Sequence, residues 1–426
     1  MMTHVPRPQV DRGFARNVGS LLVSQVLRVP ITAVYFVAAT RVLGVESFGR
    51  LTAVAAVVMI AAPFSALGSG ALIVKYGATE PETTHRWLGA GLTISALGAV
   101  VVGALLLVLS PVLIPQGTGV AILWGLVLAD FIFARAADLA SSVFVAREEM
   151  RVTAFCQVLL PALRLLAAAI LLLTPSPVGL GTWVLALVLS SALSGAICLT
   201  LAVRAVGRPV LGLAPFRGHW REALLFSVGI GTQNAHNDVD KAMLGRLDGP
   251  AGAGVYGAAY RFIDTAWLPV RALFGAAWPR FFRYAREGNS SLIPFVRAIA
   301  GPALLYSLTA TVGLIVLAGI LVPLLGEAYA ESVPLLRVLG VVVLLRCLYY
   351  LPADVLTGMG RQGLRTIIQL VVLATNVGLN LWLIPRFGVW GAAWSTLACE
   401  AALAMALWIA LAVSVRHPVP QERRDV

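Results

Sequence analysis

Long apolar stretches recur from one end of the chain to the other, separated by short polar breaks. Each stretch has about 20 or more residues, which is enough for a helix to cross a hydrocarbon core of about 30 Å. The breaks are too short to hold a soluble domain. The pattern therefore predicts an all-α integral membrane protein with twelve transmembrane helices. The predicted spans are 17–40, 49–74, 87–113, 121–145, 152–174, 180–204, 221–245, 253–278, 292–324, 333–356, 364–385 and 389–415.

The seventh span departs from this pattern because it carries seven polar or charged side chains within nine residues. A charged side chain near the bilayer centre costs about 3 kcal/mol on insertion scales, so such groups normally face a bundle interior or a water-filled cavity. On a helix of about 3.6 residues per turn they form two neighbouring strips. One strip holds Gln233, His236, Asn237 and Asp240, and the other holds Asn234, Asp238 and Lys241.

Two interpretations of these strips are open. The spacing i,i+3 of Asp238 and Lys241, and i,i+4 of His236 and Asp240, would allow the charges to neutralise one another on the helix. The other interpretation is that so wide a polar face lines a cavity through which something hydrophilic passes. The second accounts better for the uncharged polar members.

Composition supports a membrane location. The chain of 426 residues is 59% hydrophobic and 12% charged, whereas soluble domains carry about 25% charged residues. The net charge of +12 comes from bases dispersed in short loops, so no nucleic acid partner is expected. The four cysteines lie in apolar segments without metal-ligand spacing, and no metal site is expected.

Loop charges predict the topology. The basic N-terminal residues precede an apolar run without a convincing cleavage site, so the first span is taken as retained. Nineteen Lys and Arg residues fall on the side that contains both termini, against four on the other side. By the positive-inside rule, both termini are cytoplasmic. The loops of the basic side contain Arg7, Arg12, Arg16, Lys75, Arg86, Arg147, Arg151, Arg204, Arg208, Arg217, Arg221, Arg280, Arg283, Arg286, Arg361, Arg365, Arg416, Arg423 and Arg424.

An internal repeat divides the chain. The sequence R-V-L-G-V-E-S-F-G-R-L at 41–51 aligns with R-L-D-G-P-A-G-A-G-V-Y at 246–256, matching Gly44 to Gly249 and Gly49 to Gly254. Two six-helix halves of the same orientation would be related by an axis along the membrane normal, with the substrate site in a central cavity between them. The predicted parts are a cytoplasmic segment 1–16, a lobe 17–204, a linker 205–220, a lobe 221–415 and a cytoplasmic tail 416–426.

Several further charges lie inside spans. Arg28 precedes Pro30, whose kink suits a cavity wall that span 7 would face. In span 8, Arg261 and Arg271 are candidate ligand groups, and Arg261 stands at i,i+3 from Asp264. Ion pairs between helices are the favoured interpretation for Asp130, Arg135, Asp138 and Arg164, while span 10 adds Arg346 and Asp354.

At the repeated motifs the sequence resembles the polysaccharide flippases of the multidrug/oligosaccharidyl-lipid/polysaccharide exporter superfamily. The resembling segments are 41–51, G-S-G-A-L-I-V-K at 68–75, D-V-D-K-A-M-L-G at 238–245, G-V-Y-G-A-A-Y-R-F at 254–262 and I-P-R-F-G-V-W-G-A-A-W at 384–394. This resemblance implies a two-lobed transporter of the bacterial inner membrane. It would translocate undecaprenyl-pyrophosphate-linked oligosaccharide to the outer leaflet for polysaccharide biosynthesis.

That cargo gives the candidate residues their roles. Arginine binds phosphate oxygens bidentately, so Arg28, Arg261 and Arg271 are the expected pyrophosphate ligands. Asp240 or His236 could couple transport to an ion. The prenyl tail would stay among the membrane lipids, and a polysaccharide polymerase or glycosyltransferases are candidate partners. Side chains expected to contact the substrate in span 7 are Gln233, Asn234, His236, Asn237 and Lys241.

Three alternatives remain: a multidrug exporter of the same superfamily, a lipid II flippase, and a scaffold of a glycan-assembly complex. The exporters typically have an acidic residue in span 1, where this chain has only Arg28 as a charged residue. No enzyme is expected, because the loops are short and no nucleophile–base pair stands out. No cofactor is expected either, since the G-x-x-x-x-G-K-[ST] nucleotide loop is missing.

Overall fold

The described residues of a computed structural model, 12–174, 177–287 and 289–416, are mostly helical and contain no strand. Arg7, Arg423 and Arg424, which the loop prediction used, lie outside them. The helices are α1 (Arg12–Ala66), α2 (Ser69–Thr79), α3 (Thr84–Leu113), α4 (Val120–Val127), α5 (Arg135–Ala146), α6 (Met150–Leu172), α7 (Leu180–Val206), α8 (Trp220–Leu247), α9 (Pro250–Glu287), α10 (Asn289–Leu317), α11 (Leu321–Leu325), α12 (Ser332–Leu339), α13 (Val342–Gly358), α14 (Gln362–Phe387) and α15 (Val389–Arg416).

These helices account for the twelve predicted spans. Nine helical stretches of the described chain are long and apolar enough to cross a membrane. One of them, Val23–Thr79, has 57 residues, which is enough for two crossings of about 20 residues each, and the non-helical backbone of Gly44 inside it separates predicted spans 1 and 2. The helices α8 and α9 are too polar to count among the nine, and they are predicted spans 7 and 8. The prediction of an all-α integral membrane protein is confirmed.

Several spans are broken in ways that hydropathy did not predict. Span 2 was predicted as one helix over 49–74, and this is wrong: Leu67 and Gly68 have φ of 41° and 60°, so α1 ends and α2 begins there. Two successive left-handed residues cannot continue a right-handed helix. Span 9 is divided among α10, a 3₁₀ turn and α11, span 10 between α12 and α13, and span 4 contains the π-helical segment Leu128–Ala134.

The chain forms two compact units. Unit 1 contains the described residues up to Leu43 together with Val57–Val112 and Gly117–Asn234. Unit 2 contains Gly44–Ala56, Leu113–Gln116 and the described residues from Ala235 onward. The chain therefore passes between the two units five times, between residues 43 and 44, 56 and 57, 112 and 113, 116 and 117, and 234 and 235, the last of these inside the polar part of α8. The lobe limits inferred from the sequence, 17–204 and 221–415, stay predictions.

The two copies of the repeated motif meet inside unit 2. The matched glycines Gly44 and Gly249 both adopt left-handed φ, 68° and 105°. The other matched pair, Gly49 and Gly254, are neighbours in space: a Cβ on Gly49 would overlap the Pro250 carbonyl, and a Cβ on Gly254 would lie 3.3 Å from Gly49 Cα. Only residues without a side chain allow these helices to approach so closely.

The α8–α9 corner is tied to the start of α15 through Asp248. Its carboxylate accepts a hydrogen bond from the Val389 backbone N–H and lies against the backbone of Gly252 and Gly388. Burial of this carboxylate raises the pKa of Asp248, and the nearby charge of Glu331 raises it further. The folded protein therefore binds this proton more tightly than the unfolded chain does.

Asp248→Asn should make the folded protein slightly more stable at pH 8. A raised carboxyl pKa favours folding at low pH, and this contribution is lost as the pH rises through the folded value. Asparagine cannot ionise but still accepts the Val389 bond, so a gain below about 1 kcal/mol is expected, because the site is partly exposed. The gain should vanish below about pH 3, where the carboxyl is protonated in both states.

Thermal unfolding of the purified protein at about pH 3 and about pH 8 measures this effect. Glu331→Gln is the matched control, since it removes the repulsion but not the carboxylate, and it should give part of the same gain. A loss of stability at pH 8 in Asp248→Asn would show that the charge of the carboxylate stabilises the corner.

Candidate functional site

Arg28 lines a cavity of about 500 Å³ within unit 1. The walls come from the first part of α1, the start of α2, α5 and the start of α6. Arg28 stands near Pro30, and the Thr32 hydroxyl donates to the Arg28 carbonyl at 2.6 Å. We call this site the Arg28 cavity. Its polar lining side chains are Gln25, Arg28, Arg135, Asp138, Ser141, Ser142 and Gln157.

The Arg28 cavity carries an excess of positive charge. Arg135 and Asp138 pair at 3.3 Å, and Arg28 lies close enough to Asp138 to interact with its charge. Asp138 has 68% of its side-chain surface exposed although it lies between packed helices, as expected for the wall of an open cavity. Two guanidinium groups and one carboxylate leave one positive charge, which favours an anion.

Of the four charges assigned to ion pairs between helices, Asp130 and Arg164 form such a pair, whereas Arg135 and Asp138 pair within α5. Arg164 Nη2 lies 3.3 Å from Asp130 Oδ1, joining α6 to the π-helical segment. Arg135 and Asp138 form the other pair, but they also line the Arg28 cavity. The same two side chains therefore form an ion pair and line the cavity.

The polar strips of α8 fall on both sides of the point where the chain changes unit. In unit 1, Gln233 is half-buried, and Asn234 donates from Nδ2 to the Met59 carbonyl at 2.8 Å. In unit 2, Asn237 is half-buried and Lys241 Nζ lies 2.7 Å from Asp238 Oδ1. The predicted i,i+3 pair is thus formed. Arg28 belongs to unit 1, whereas part of the polar face of α8 belongs to unit 2. The expectation that span 7 faces Arg28 therefore stays a prediction.

Asp240 is the most strongly held polar residue of α8. Only 4% of its surface is exposed. Its Oδ2 accepts from Thr396 Oγ1 at 2.8 Å and Tyr256 Oη at 3.1 Å, and its Oδ1 accepts from Asn380 Nδ2 at 2.6 Å. Asn380 also donates to Asn376 Oδ1 at 3.1 Å and accepts from Ser395. We call these six residues the Asp240 cluster: Asp240, Tyr256, Asn376, Asn380, Ser395 and Thr396.

A second buried group lies one helical turn away, around Glu400. His236 Nε2 and Arg346 Nε approach Glu400 Oε1 at 3.6 and 3.7 Å, and Arg346 also binds Asp264 at 2.8 Å. No described residue donates a hydrogen bond to Glu400 Oε2. We call these four residues the Glu400 network.

The i,i+4 spacing of His236 and Asp240 left neutralisation on the helix as one of two interpretations. In the structure His236 Nε2 lies 3.6 Å from Glu400 Oε1 on α15. Asp264 pairs with Arg346 of α13 at 2.8 Å, and Arg261 adds electrostatic attraction to Asp264. A residue on another helix thus takes part in both groups, which spacing along one helix does not predict.

The remaining candidates are less enclosed. Lys241 lies over the Tyr260 ring at 5.1 Å, Arg261 is half-buried and Arg271 is exposed. Sequence reasoning missed Asn376, Asn380, Thr396 and Glu400. A signal was present, because Asn376 and Asn380, like Thr396 and Glu400, stand at i,i+4 within apolar helices, and Glu400 is the only acidic residue of α15.

Solved structures define the class of this fold. A structure described as the inward-facing conformation of a multidrug resistance MATE family transporter of the MOP superfamily matches with a TM-score of 0.76 and 14% identity, covering 94% of this chain and 99% of that one. A MOP superfamily transporter from Pyrococcus furiosus matches with a TM-score of 0.67 at 14% identity over 94% and 96%. An outward-facing MATE family transporter matches with a TM-score of 0.64 at 14% identity over 95% and 96%. At such identity these likenesses establish the fold alone.

The similarity of the sequence to a known protein family identifies the family of this chain. The family described as "Polysaccharide biosynthesis protein" matches residues 14–285, which is well over half of the chain. The chain therefore belongs to the polysaccharide biosynthesis protein family. No curated protein matches it. The similar solved structures are described as transporters.

Proposed function

We propose that the protein translocates undecaprenyl-pyrophosphate-linked oligosaccharide from the cytoplasmic to the outer leaflet of a bacterial inner membrane by alternating access. The observation that carries the proposal is a cavity with excess positive charge, around Arg28, in a MOP-superfamily transporter of the polysaccharide biosynthesis family. Both termini would be cytoplasmic, and a polymerase or glycosyltransferases would be the partners.

In this proposal Arg28 binds the pyrophosphate. A guanidinium presents a rigid fork of donors that matches two phosphate oxygens, and such charge-assisted bonds are about twice as strong as neutral ones. The amides of Gln25 and Gln157 and the hydroxyls of Ser141 and Ser142 share the cavity with Arg28. They can bond the remaining phosphate oxygens or the first sugar.

Half-buried side chains of α8 are proposed to contact the sugars of the substrate. Gln233 and Asn237 have amide groups suited to sugar hydroxyls, whereas Asn234 already donates one amide hydrogen to Met59 and keeps the other hydrogen and its oxygen for a ligand. Arg261 and Arg271 are proposed as secondary contacts for the phosphates. Lys241 and His236 are held by Asp238 and Glu400, and they contribute charge near the path.

We further propose that Asp240 couples transport to a cation. The Asp240 cluster brings carboxylate, carboxamide and hydroxyl oxygens together in the interior of unit 2, and oxygen atoms of these kinds are the ligands that hard cations prefer. Either Na⁺ or a proton would satisfy the buried carboxylate. His236, one turn away, is the second candidate for proton coupling.

A multidrug exporter is the main alternative, because two of the similar structures are described as multidrug resistance transporters. Against it stands the chemistry of span 1, which contributes a cation and no carboxylate to its cavity. The description of the P. furiosus structure states that the reverse polarity of its binding pocket suggests a different function. Proteins of this fold can thus have binding pockets of different polarity. In this chain, the residues of the Arg28 cavity favour an anionic cargo.

Complementation of a flippase-null strain tests the proposed function. Expression of the wild-type chain should restore surface polysaccharide and remove the lipid-linked oligosaccharide that accumulates inside the cell. Restored resistance to cationic drugs, without restored polysaccharide, would instead favour the multidrug exporter. Membrane levels of the protein are measured in parallel.

A further inference from the structure

A second cavity, of about 660 Å³, lies in unit 1 away from the Arg28 cavity. It is formed by the start of α3, the 3₁₀ turn before it, and the segment 207–219 that joins α7 to α8. Neither the transport path proposed above nor the family resemblance uses these residues. We call it the linker cavity.

The linker cavity has a defined shape, because the segment 207–219 is fixed onto α3. The Val210 N–H donates to the His85 carbonyl at 3.4 Å, and the Gly212 N–H donates to Thr93 Oγ1 at 3.1 Å. A Cβ on Gly89 would overlap the Val210 carbonyl. The backbone of the segment thus lies directly on α3.

Aromatic rings make a rigid floor for the linker cavity. The Trp87 ring, 6% exposed, stacks on Tyr76 at 4.6 Å and meets His219 edge-on at 5.5 Å. Phe216 is fully buried beside it. Because Trp87 and Phe216 belong to the hydrophobic core of unit 1, the floor is held by the packing of the whole unit.

The rim carries cations. The exposed guanidinium groups of Arg86 and Arg217 line the linker cavity together with the imidazoles of His85 and His219, and Glu80 is its only acidic lining residue. The nearby Glu222 is held by Lys75 Nζ at 2.6 Å and by Tyr76 Oη at 3.1 Å. Its charge is therefore neutralised within the protein, and the rim keeps a positive excess.

Apolar groups stand beside this charge. Val210 and Leu211, both lining the linker cavity, expose 54% and 70% of their surface. Arg86 and Arg217 fall in the loops predicted to be cytoplasmic, at the ends of membrane spans. A cationic rim next to exposed aliphatic side chains at a membrane surface matches a molecule with an anionic head and a hydrocarbon tail.

We propose that the linker cavity binds the phosphate-bearing headgroup of a membrane lipid. Arg86 and Arg217 hold the phosphate oxygens, and Val210 and Leu211 contact the hydrocarbon chain. The lipid is either an anionic glycerophospholipid of the bilayer or the polyprenyl diphosphate of a lipid-linked saccharide, which share this chemistry. The proposal does not depend on the transport function, because it concerns binding alone.

Binding of two probes to the purified full-length protein tests this proposal. The probes are phosphatidylglycerol and farnesyl diphosphate, with net-neutral phosphatidylcholine as the comparison lipid, and affinity is measured by native mass spectrometry. In the double variant Arg86→Gln/Arg217→Gln, affinity for the bound anionic probe should fall about tenfold or more, since two charge-assisted contacts are lost. Arg208→Gln, an exposed arginine of the same segment outside the cavity, should bind as the wild type does.

The outcomes separate the sources and can overturn the proposal. A loss confined to farnesyl diphosphate identifies a polyprenyl diphosphate as the ligand, and a loss confined to phosphatidylglycerol identifies a bilayer lipid. Unchanged binding in the double variant, or an equal loss in Arg208→Gln, would overturn the proposal. An unchanged thermal unfolding temperature of the double variant checks that the fold is intact.

Discussion

Arg28→Ala should abolish complementation of a flippase-null strain while the protein stays in the membrane at its normal level. The variant removes the fork that is proposed to hold the pyrophosphate, and hydrogen bonds to charged groups are each worth about 1.5–3 kcal/mol. Loss of two such bonds lowers affinity by a factor of about 100 or more. Lipid-linked oligosaccharide should accumulate accordingly.

Two further variants sharpen this result. Arg28→Lys keeps the charge without the planar fork, so a partial loss is expected. Arg337→Ala removes an exposed arginine of α12, which the sequence places near a span end, and should leave transport unchanged. Full activity of Arg28→Ala would remove Arg28 from the pyrophosphate site, and equal losses in Arg28→Ala and Arg337→Ala would point to a general effect of charge.

Asp240→Asn should abolish the dependence of transport on a cation gradient and reduce its rate at least tenfold. Asparagine has nearly the same shape, but its amide cannot accept from Asn380, Thr396 and Tyr256 as both carboxylate oxygens do. A buried donor left without a partner costs about 1–3 kcal/mol, so a lower unfolding temperature is also expected. The rate is measured in vesicles with and without imposed Na⁺ and H⁺ gradients.

The control for Asp240→Asn is Asp354→Asn. Asp354 is equally buried in unit 2, with 4% of its surface exposed, and its carboxylate lies 3.6 Å from Arg365 without the oxygen cluster. It should lower stability without altering the response to a gradient. If wild-type transport ignores both gradients, or if Asp240→Asn responds to them as the wild type does, Asp240 has a structural role only.

The fold was predictable to the extent that hydropathy determines it. Twelve apolar stretches predict twelve membrane helices, because hydrocarbon requires backbone groups to be satisfied within each span. The break at Leu67 and Gly68 was not predictable in this way, since both residues are compatible with an apolar helix and only their φ angles end it. The same holds for the 3₁₀ turn Ala318–Ile320 inside span 9.

For the candidate site, the sequence predicted the polar residues of α8 but not their partners on other helices. The cost of polar groups in span 7 identified Asp240 and His236 as residues that need partners. Their actual partners, Thr396 and Glu400, lie on α15, more than 150 residues along the chain. Helix spacing describes contacts within one helix, so it offered a His236–Asp240 pair as one interpretation and carried no information on the packing of α8 against other helices.

For Arg28, the sequence predicted a position in a cavity wall but not the other residues of that wall. The position of Arg28 as a cation beside the kink at Pro30 indicated a cavity wall from the sequence alone. The composition of that wall required the structure, because Asp138 and Gln157 reach it from α5 and α6. The interpretation of Asp138 as an ion-pair partner was correct but incomplete, since its exposed carboxylate also faces the Arg28 cavity.

Reconstituted translocation is the most direct measurement of the central claim. The purified protein in liposomes is given a fluorescent undecaprenyl-pyrophosphate-linked oligosaccharide, and its arrival in the opposite leaflet is read by protection from a membrane-impermeant quencher. The account predicts that wild-type protein moves the lipid at least ten times faster than Arg28→Ala protein, whose rate approaches that of protein-free liposomes. Equal rates for wild-type protein and protein-free liposomes, with export of a cationic dye by the same preparation, would contradict it.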